Sequence, residues 1–417
     1  MRMLNACLLA ACSAIVLCAA PAAADSLKII HTFNNVAKGA RPRAALTGDA
    51  AGNLYGTTYT GAPDGNGTVF ELSPAAAGKN KWTLTVLHRF TKKVKNGIYP
   101  DSSVILDQDG NLYGTTSEGG INDAGTVFEL VRPASGEKKW QQIVVHRFTG
   151  KVDGGTPHGT LVFGADGALY GAAGFGGSSG AGLIYRLAKS SKGKWKETVL
   201  YNFSNGTDGG YPYCEPVFDQ AGNLYGTTLN GGNAGNGVVF ELSPPASGQK
   251  HWTETVLHSF DASSDGAEPR MGVIMDGAGN LYGTTESGGS IGYGAIFEVS
   301  PPSQGQGSWT ENVIYSFGFS PDGGTPGYSG LVLDAGGNLY GTTQTGGTAH
   351  NGVVFELAPQ QGGSWTESVL HTFQGAPDGS QPEAGLLQGA DGKLYGTTFF
   401  GGNSDDSGTV FSITAGH

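Results

Sequence analysis

Seven positions in this chain share one setting and differ in their chemistry. Each follows a repeated proline, and the residues there are Arg43, Asp101, His158, Tyr213, Arg270, Gly327 and Glu383. A position set by architecture alone has no need of two arginines, two carboxylates, an imidazole and a phenol. Convergent polar groups of this kind suit recognition of a polar ligand by hydrogen bonds and charge. They also suit acid–base catalysis, with Asp101, His158, Tyr213 and Glu383 moving protons and the arginines neutralising substrate charge. The plain alternative is a solvated rim under no constraint.

A second group of variable residues lies in glycine-rich loops. It comprises Tyr59, Asp64, Glu118, Asp123, Phe175, Asn230, Glu286, Tyr293, Gln344, His350, Phe399, Phe400 and Asp406. Aromatics beside amides and carboxylates suit stacking on sugar rings, and equally suit ordinary exposed loops. Phe399 and Phe400 stand out, because two adjacent aromatics cannot both point into one face of a sheet.

Other candidates carry less. His31, His88, His146, His258 and His371 occupy one repeated place, where Tyr201 and Tyr315 replace histidine. An interchange with tyrosine marks packing or hydrogen bonding, not metal ligation. Asp153, Asp208, Asp265, Asp322 and Asp378 each precede glycine, with a proline soon after. That is turn chemistry, in which the carboxylate accepts backbone N–H groups. Gly176 to Gly180 spells a nucleophile elbow, but no helix follows it. Cys214 has no partner cysteine nearby and reads as a small buried residue. No phosphate loop, dinucleotide fingerprint or zinc-type spacing is present, so neither a cofactor nor a metal is expected.

The elements that position these residues follow from a repeat. Gly52-Asn53-Leu54-Tyr55-Gly56-Thr57-Thr58 recurs in near-copies centred on Tyr113, Tyr170, Tyr225, Tyr282, Tyr340 and Tyr395, at steps of 55 to 58 residues. Around Tyr340 four apolar segments alternate with turn residues: Gly330 to Asp334, Asn338 to Thr343, Gly352 to Leu357 and Trp365 to Phe373. Each is five to nine residues long, and Asp-x-x-Gly-Asn between the first two is short enough to force a hairpin. Four strands per unit and seven units give an all-β chain folded as a seven-bladed β-propeller of antiparallel blades.

Closure is legible as well. The tryptophan segment occurs six times, at Trp82, Trp140, Trp195, Trp252, Trp309 and Trp365. The seventh copy is replaced by Leu27 to Phe33, which matches Val-Leu-His-x-Phe. The amino-terminal strand is therefore expected in the last blade, beside Gly408 to Ile413, so that no edge is exposed. In such a ring the first strand of each unit lines the channel and the tryptophan strand lies outermost. The loops entering the first strand and those after Thr-Thr then share one face, and the seven variable positions gather at the channel mouth.

Composition agrees. The 72 glycines fall between apolar clusters, and 10% aromatic residues supply a core. Residues 1–24 read as a secretory signal: Arg2, an apolar run from Ala6 to Ala20, and Ala22-Ala23-Ala24 for cleavage after Ala24. Leu9-Ala10-Ala11-Cys12 offers a lipoprotein alternative. Cleavage leaves residues 25–417 as one propeller with Cys214 as its single cysteine, so stability has to come from packing. The formal charge of −11 argues against nucleic acid or an anionic membrane surface as partner.

Gly-Asn-Leu-Tyr-Gly-Thr-Thr-x-x-Gly-Gly followed by Gly-Thr-Val-Phe-Glu-Leu resembles the GloVer tandem repeat of secreted bacterial proteins. The resemblance covers essentially the whole mature chain. It implies export and a repeat architecture, and it carries no catalytic residue over. Members often bear a carboxy-terminal surface anchor, whereas this chain ends at His417 just after its last strand, which favours a soluble secreted or periplasmic monomer. The expected function is a binding module for an extracellular or cell-wall glycan or another polar ligand. The alternatives are a polysaccharide lyase, hydrolase or lactonase, and a scaffold for protein partners. The third unit breaks the repeat, with Ala172-Ala173 for Thr-Thr and Arg186 for the usual glutamate, as an enzyme's site would.

Overall fold

Leu54–Thr58 is a strand buried along its whole length, whereas Thr83–Arg89 alternates exposed and half-buried residues. A strand buried on both faces needs a layer on each side, and an alternating one faces water on one side. The computed structural model shows how both are met. It describes residues 27–34, 38–75, 81–91, 94–247, 249, 251–303, 307–328 and 330–415. Those residues form seven four-stranded antiparallel sheets, and no α-helix occurs among them. They are the blades of a seven-bladed β-propeller, numbered 1 to 7 here in the order of the seven tyrosines. The expected signal peptide lies outside the described residues.

Blade 6 shows the plan: Val332–Leu333, Leu339–Thr343, Val353–Pro359 and Trp365–Thr372, hydrogen-bonded in that order. The innermost strand has two residues, not the five to nine expected. Its upstream part turns its carbonyls to the neighbouring blade: Thr342 of blade 6 donates to the Ala384 carbonyl of blade 7 at 3.0 Å. Thr57 likewise donates to the Ser102 carbonyl at 3.0 Å. The first threonine of Thr-Thr is thus a stitch between blades.

Two glycines of the repeat have separate causes. Gly337 closes the hairpin at φ +85°, in the left-handed region that glycine enters freely. Gly341 lies within its strand, and a Cβ there would come within 2.5 Å of Phe355. It is needed for space, not for backbone freedom.

The ring closes as expected. Lys28–Thr32 pairs antiparallel with Thr409–Thr414 and forms the outermost strand of blade 7. Phe33, 1% exposed, meets Phe70 of blade 1 at 5.4 Å between ring centroids. The same contact recurs at every junction, through Phe90 and Phe128, Phe148 and Tyr185, Phe203 and Phe240, Phe260 and Phe297, Phe317 and Phe355, and Phe373 and Phe411. A second row sets the outer tryptophan of one blade against the tyrosine of the blade before it, as Trp82 with Tyr395 and Trp195 with Tyr113. The core is therefore a set of clusters between blades, and aromatic burial holds the ring without disulfides.

Candidate functional site

The innermost segments of all seven blades line a cavity of about 590 Å³ on the ring axis. Six of the seven residues expected at its mouth do line it: Arg43, Asp101, His158, Tyr213, Arg270 and Glu383. The exception is Gly327. The segment Pro326–Tyr328 forms a turn of 3-10 helix, which brings Tyr328 to the rim. Gly327 instead packs against the Glu286 backbone, where a Cβ would lie 2.5 Å from its Cα. The signal was present in the spacing, because this unit has one residue more between proline and tyrosine than the others.

Neighbouring blades join their rim residues into a circuit. Arg43 Nε donates to Glu383 at 2.9 Å, and Gln344 donates to the other oxygen of Glu383 at 2.8 Å. The guanidinium carbons of Arg43 and Arg270 lie 5.8 and 4.6 Å from the centre of the Tyr328 ring. Arg270 also lies 5.7 Å from the Tyr213 ring, and Tyr213 meets His158 at 4.8 Å between centroids. His158 Nδ1 and Asp101 Oδ2 are 2.6 Å apart. Between Arg43 and Asp101 the gap is bridged by Tyr59, 5.7 Å from Arg43 and stacked on Tyr99 at 5.0 Å.

The loops after Thr-Thr brace this ring. Tyr59, Glu286, Gln344 and Phe175 contact the rim residues of their own or a neighbouring blade. In every blade a bridge ties the two loop sets together, such as Ala267 to Ser287 and Ser380 to Phe400. Phe399 and Phe400 do not join the mouth. They pack on each other at 4.6 Å and on Arg41, which sits 5.9 and 5.2 Å from their rings beside a separate cleft between blades 7 and 1.

The pairing leaves usable groups. Both arginines spend Nε on glutamates, Arg270 on Glu286 at 3.0 Å, and their terminal nitrogens stay at the mouth. Asp101 is 3% exposed, and its Oδ1 is buried without a hydrogen-bond partner. A carboxylate accepts a hydrogen bond from the N–H that faces it, so His158 donates through Nδ1 to Asp101 and presents Nε2 to the cavity. Loss of solvation raises the phenols of Tyr213 and Tyr328, so both remain hydrogen-bond donors.

A further residue escaped the sequence reading. Glu215 lies two residues below Tyr213 on the innermost segment, and period-2 alternation puts it on the same wall of the cavity. Water reaches it within the channel, yet protein surrounds it. Loss of solvation pushes its carboxyl up to about 7, against a hydrogen bond from Thr160 that lowers it. The corresponding residues of the other blades are Ala45, Ser103, Thr160, Gly272, Gly330 and Gly385, none of them charged.

The remaining expectations resolve structurally. Asp208, Asp322 and Asp378 accept backbone N–H groups of their own turns, and Tyr201, Tyr315 and His371 donate to those same carboxylates. Histidine and tyrosine interchange because both perform this one task. His31 and His88 face loops with Lys38 and Asn96 in place of the aspartate, and burial pushes their imidazoles down to about 4. Cys214 is fully buried, its thiol pushed up to about 12 by loss of solvation. In the third unit Arg186 Nε bonds Asp166 at 2.8 Å and takes over the place of the usual glutamate, and Ala172 and Ala173 are fully buried. Among the described residues the mouth gathers no three ligand atoms suited to a metal; the one such group lies between blades 2 and 3.

No curated protein matches the chain in sequence. Among solved structures, it is similar to the extracellular domain of a protein named as a one-component system from B. thetaiotaomicron. Identity is 12%, 94% of this chain and 42% of that one are covered, and the TM-score is 0.55. This chain thus spans less than half the length of that protein. It is also similar to a hypothetical selenium-binding protein from Sulfolobus tokodaii, at 12% identity, with 90% of this chain and 88% of that one covered and a TM-score of 0.54. At such identities the likeness shows the propeller fold alone. The profile of the Gloeobacter/Verrucomicrobia repeat, in contrast, matches residues 19–217 and 214–417. The chain belongs to the Gloeobacter/Verrucomicrobia repeat family.

Proposed function

We propose that the channel mouth binds a neutral, hydroxyl-rich ligand, most simply the end of an extracellular or cell-wall glycan. The observation that carries this reading is the pairing at the rim: Arg43 with Glu383 and Arg270 with Glu286, around the half-buried rings of Tyr213 and Tyr328. Paired charges exert little net field, so they select hydroxyl groups through directed hydrogen bonds, while the accessible parts of the rings add apolar surface for a sugar. A cavity of about 590 Å³ lies within the range of small-ligand sites and admits a chain end, not a continuous chain. Export places such a module outside the cytoplasm, supported by the apolar run from Ala6 to Ala20. No helix among the described residues is long and apolar enough to cross a membrane.

A second reading rests on the 2.6 Å contact between Asp101 and His158. An imidazole oriented by a carboxylate, with its other nitrogen facing a cavity, is the arrangement of a general base. Glu215 is a candidate acid on the adjoining blade. One set of assays separates the readings. Residues 25–417 are titrated with a panel of soluble glycans by calorimetry and assayed for turnover of the same panel. For a binding module, Arg270→Ala and Tyr213→Ala weaken binding at least tenfold, and Phe399→Ala with Phe400→Ala leaves it intact. For an enzyme, His158→Gln removes turnover and keeps binding. If only the phenylalanine changes abolish binding, the site belongs beside Arg41.

A further inference from the structure

Where a junction sets a histidine or tyrosine against an aspartate, the two side chains close on each other, and one such junction departs from this. His258 Nε2 closes on Asp265 at 2.9 Å, His371 on Asp378 at 2.8 Å, and Tyr315 on Asp322 at 2.8 Å. Between blades 2 and 3, His146 Nε2 stands 3.6 Å from Asp153 and 3.9 Å from Glu197. One ligand atom from each of these three side chains lies within 4.8 Å of the other two. His146 Nε2 and Glu197 Oε1 are buried without a hydrogen-bond partner. We propose that His146, Asp153 and Glu197 form a binding site for a divalent transition-metal cation, zinc by its donor set, clamping blade 2 to blade 3.

The chemistry of the donors supports this cation. One imidazole nitrogen and two carboxylates make a neutral site with a doubly charged ion. Zinc accepts this mixture, whereas magnesium and calcium prefer oxygen alone. In a tetrahedral site with bonds of about 2.0–2.1 Å, ligand atoms sit roughly 3.3–3.4 Å apart. The imidazole stands 3.6 and 3.9 Å from the two carboxylates and all three ligand atoms lie within 4.8 Å of one another, so metal binding draws the three side chains inward. Thr149 holds Asp153 through its backbone N–H at 3.0 Å, which fixes one ligand in place.

A cation bound here would remove the repulsion between the Asp153 and Glu197 carboxylates. The unpartnered glutamate oxygen recurs at Glu254, Glu311 and Glu367, so it does not single out this junction. What does is the imidazole standing away from its aspartate. His258, Asp265 and Glu311 have the same residue types, but their imidazole is already closed on Asp265, which makes them an internal control.

The test uses the untagged mature chain, stripped with a chelator and titrated with zinc chloride by calorimetry. One equivalent is expected to bind. His146→Ala and the nearly isosteric Glu197→Gln should each weaken binding at least tenfold, and His258→Ala should leave it unchanged, with each variant confirmed as folded by its melting transition. The proposal is overturned if the stripped parent binds no zinc. It is equally overturned if folded Glu197→Gln and His146→Ala bind as the parent does, or if His258→Ala loses as much as they do.

Discussion

The hairpin inside each blade and the rim of the channel are each written seven times, yet they answer opposite demands. In blade 6, Asp334 accepts bonds from Gly336 N, Asn338 N, Asn338 Nδ2 and the Tyr340 hydroxyl at 2.8 to 3.1 Å. Asp49, Asp107, Asp219 and Asp276 accept the same set from Asn N, Asn Nδ2 and Tyr in their own blades. Where the residues change, the contact survives: in blades 3 and 7 the aspartate moves two positions, to Asp166 and Asp391, and still receives the tyrosine hydroxyl. At the rim the spacing is constant in six of the seven blades, and the contacts are all different. Identity across repeats therefore marks contacts that every blade or blade junction makes alike, and variety marks a surface that no single blade determines.

The hairpin side of this contrast should give the largest effect. Asp334→Ala removes four bonds to one carboxylate and strands the Tyr340 hydroxyl with Glu356 alone, at 3.1 Å. Hydrogen bonds to a charged group imply a loss of about 2–3 kcal/mol. Urea unfolding should show it, with ligand binding at the mouth unchanged; a neutral variant would break the contrast.

The rim should respond unequally. On a fully solvated rim the loss of either arginine would cost little. Glu383 is only 7% exposed, however, and without Arg43 it keeps Gln344 as its partner. Glu286 is 22% exposed and reaches water. Arg43→Ala should cost about 1–2 kcal/mol and Arg270→Ala less than about 1 kcal/mol, because a buried unpaired charge is penalised more than an exposed one. Equal losses in parallel denaturation curves would remove the distinction.

The smallest effect concerns pH. Glu311 is pushed up to about 7 by loss of solvation and then by the charges of Asp265 and Asp261, from an ordinary value of 4.5. The folded state therefore holds a proton that the unfolded state releases, and stability falls as pH rises from about 4.5 to 7. Glu311→Gln should melt with the parent near pH 4.5 and above it at pH 8. His31 and His88, lowered to about 4, act in the opposite sense and cancel in the difference between variant and parent. A Glu311→Gln protein no more stable than its parent at pH 8 would contradict this.

The propeller was legible because its signals are local and repeated: Asp-x-x-Gly-Asn fixes a hairpin, and Leu27 to Phe33 completes a pattern missing its seventh copy. The rim was legible as a set of positions because the proline fixes the register. Tyr328 is hidden in the sequence because one inserted residue shifts that register, and Glu215 because it lies two residues inside the mouth, at a place that is uncharged in every other unit. The braces, such as Glu286 on Arg270 and Gln344 on Glu383, depend on distances between loops that spacing does not encode. So does the open His146 junction, which differs from that of His258 by less than 1 Å.

The central claim is that the channel mouth, and not the repeated scaffold, selects the ligand. Calorimetric titration of the tightest-binding glycan into the parent chain, Tyr328→Ala and Tyr340→Phe tests it directly. Tyr328 lies between two arginines at the mouth, and Tyr340 is buried in the hairpin of the same blade. Tyr328→Ala should lose at least tenfold in affinity, and Tyr340→Phe should bind as the parent does. Parent-like affinity in folded Tyr328→Ala, or no saturable binding of any glycan to the folded parent, would contradict the account.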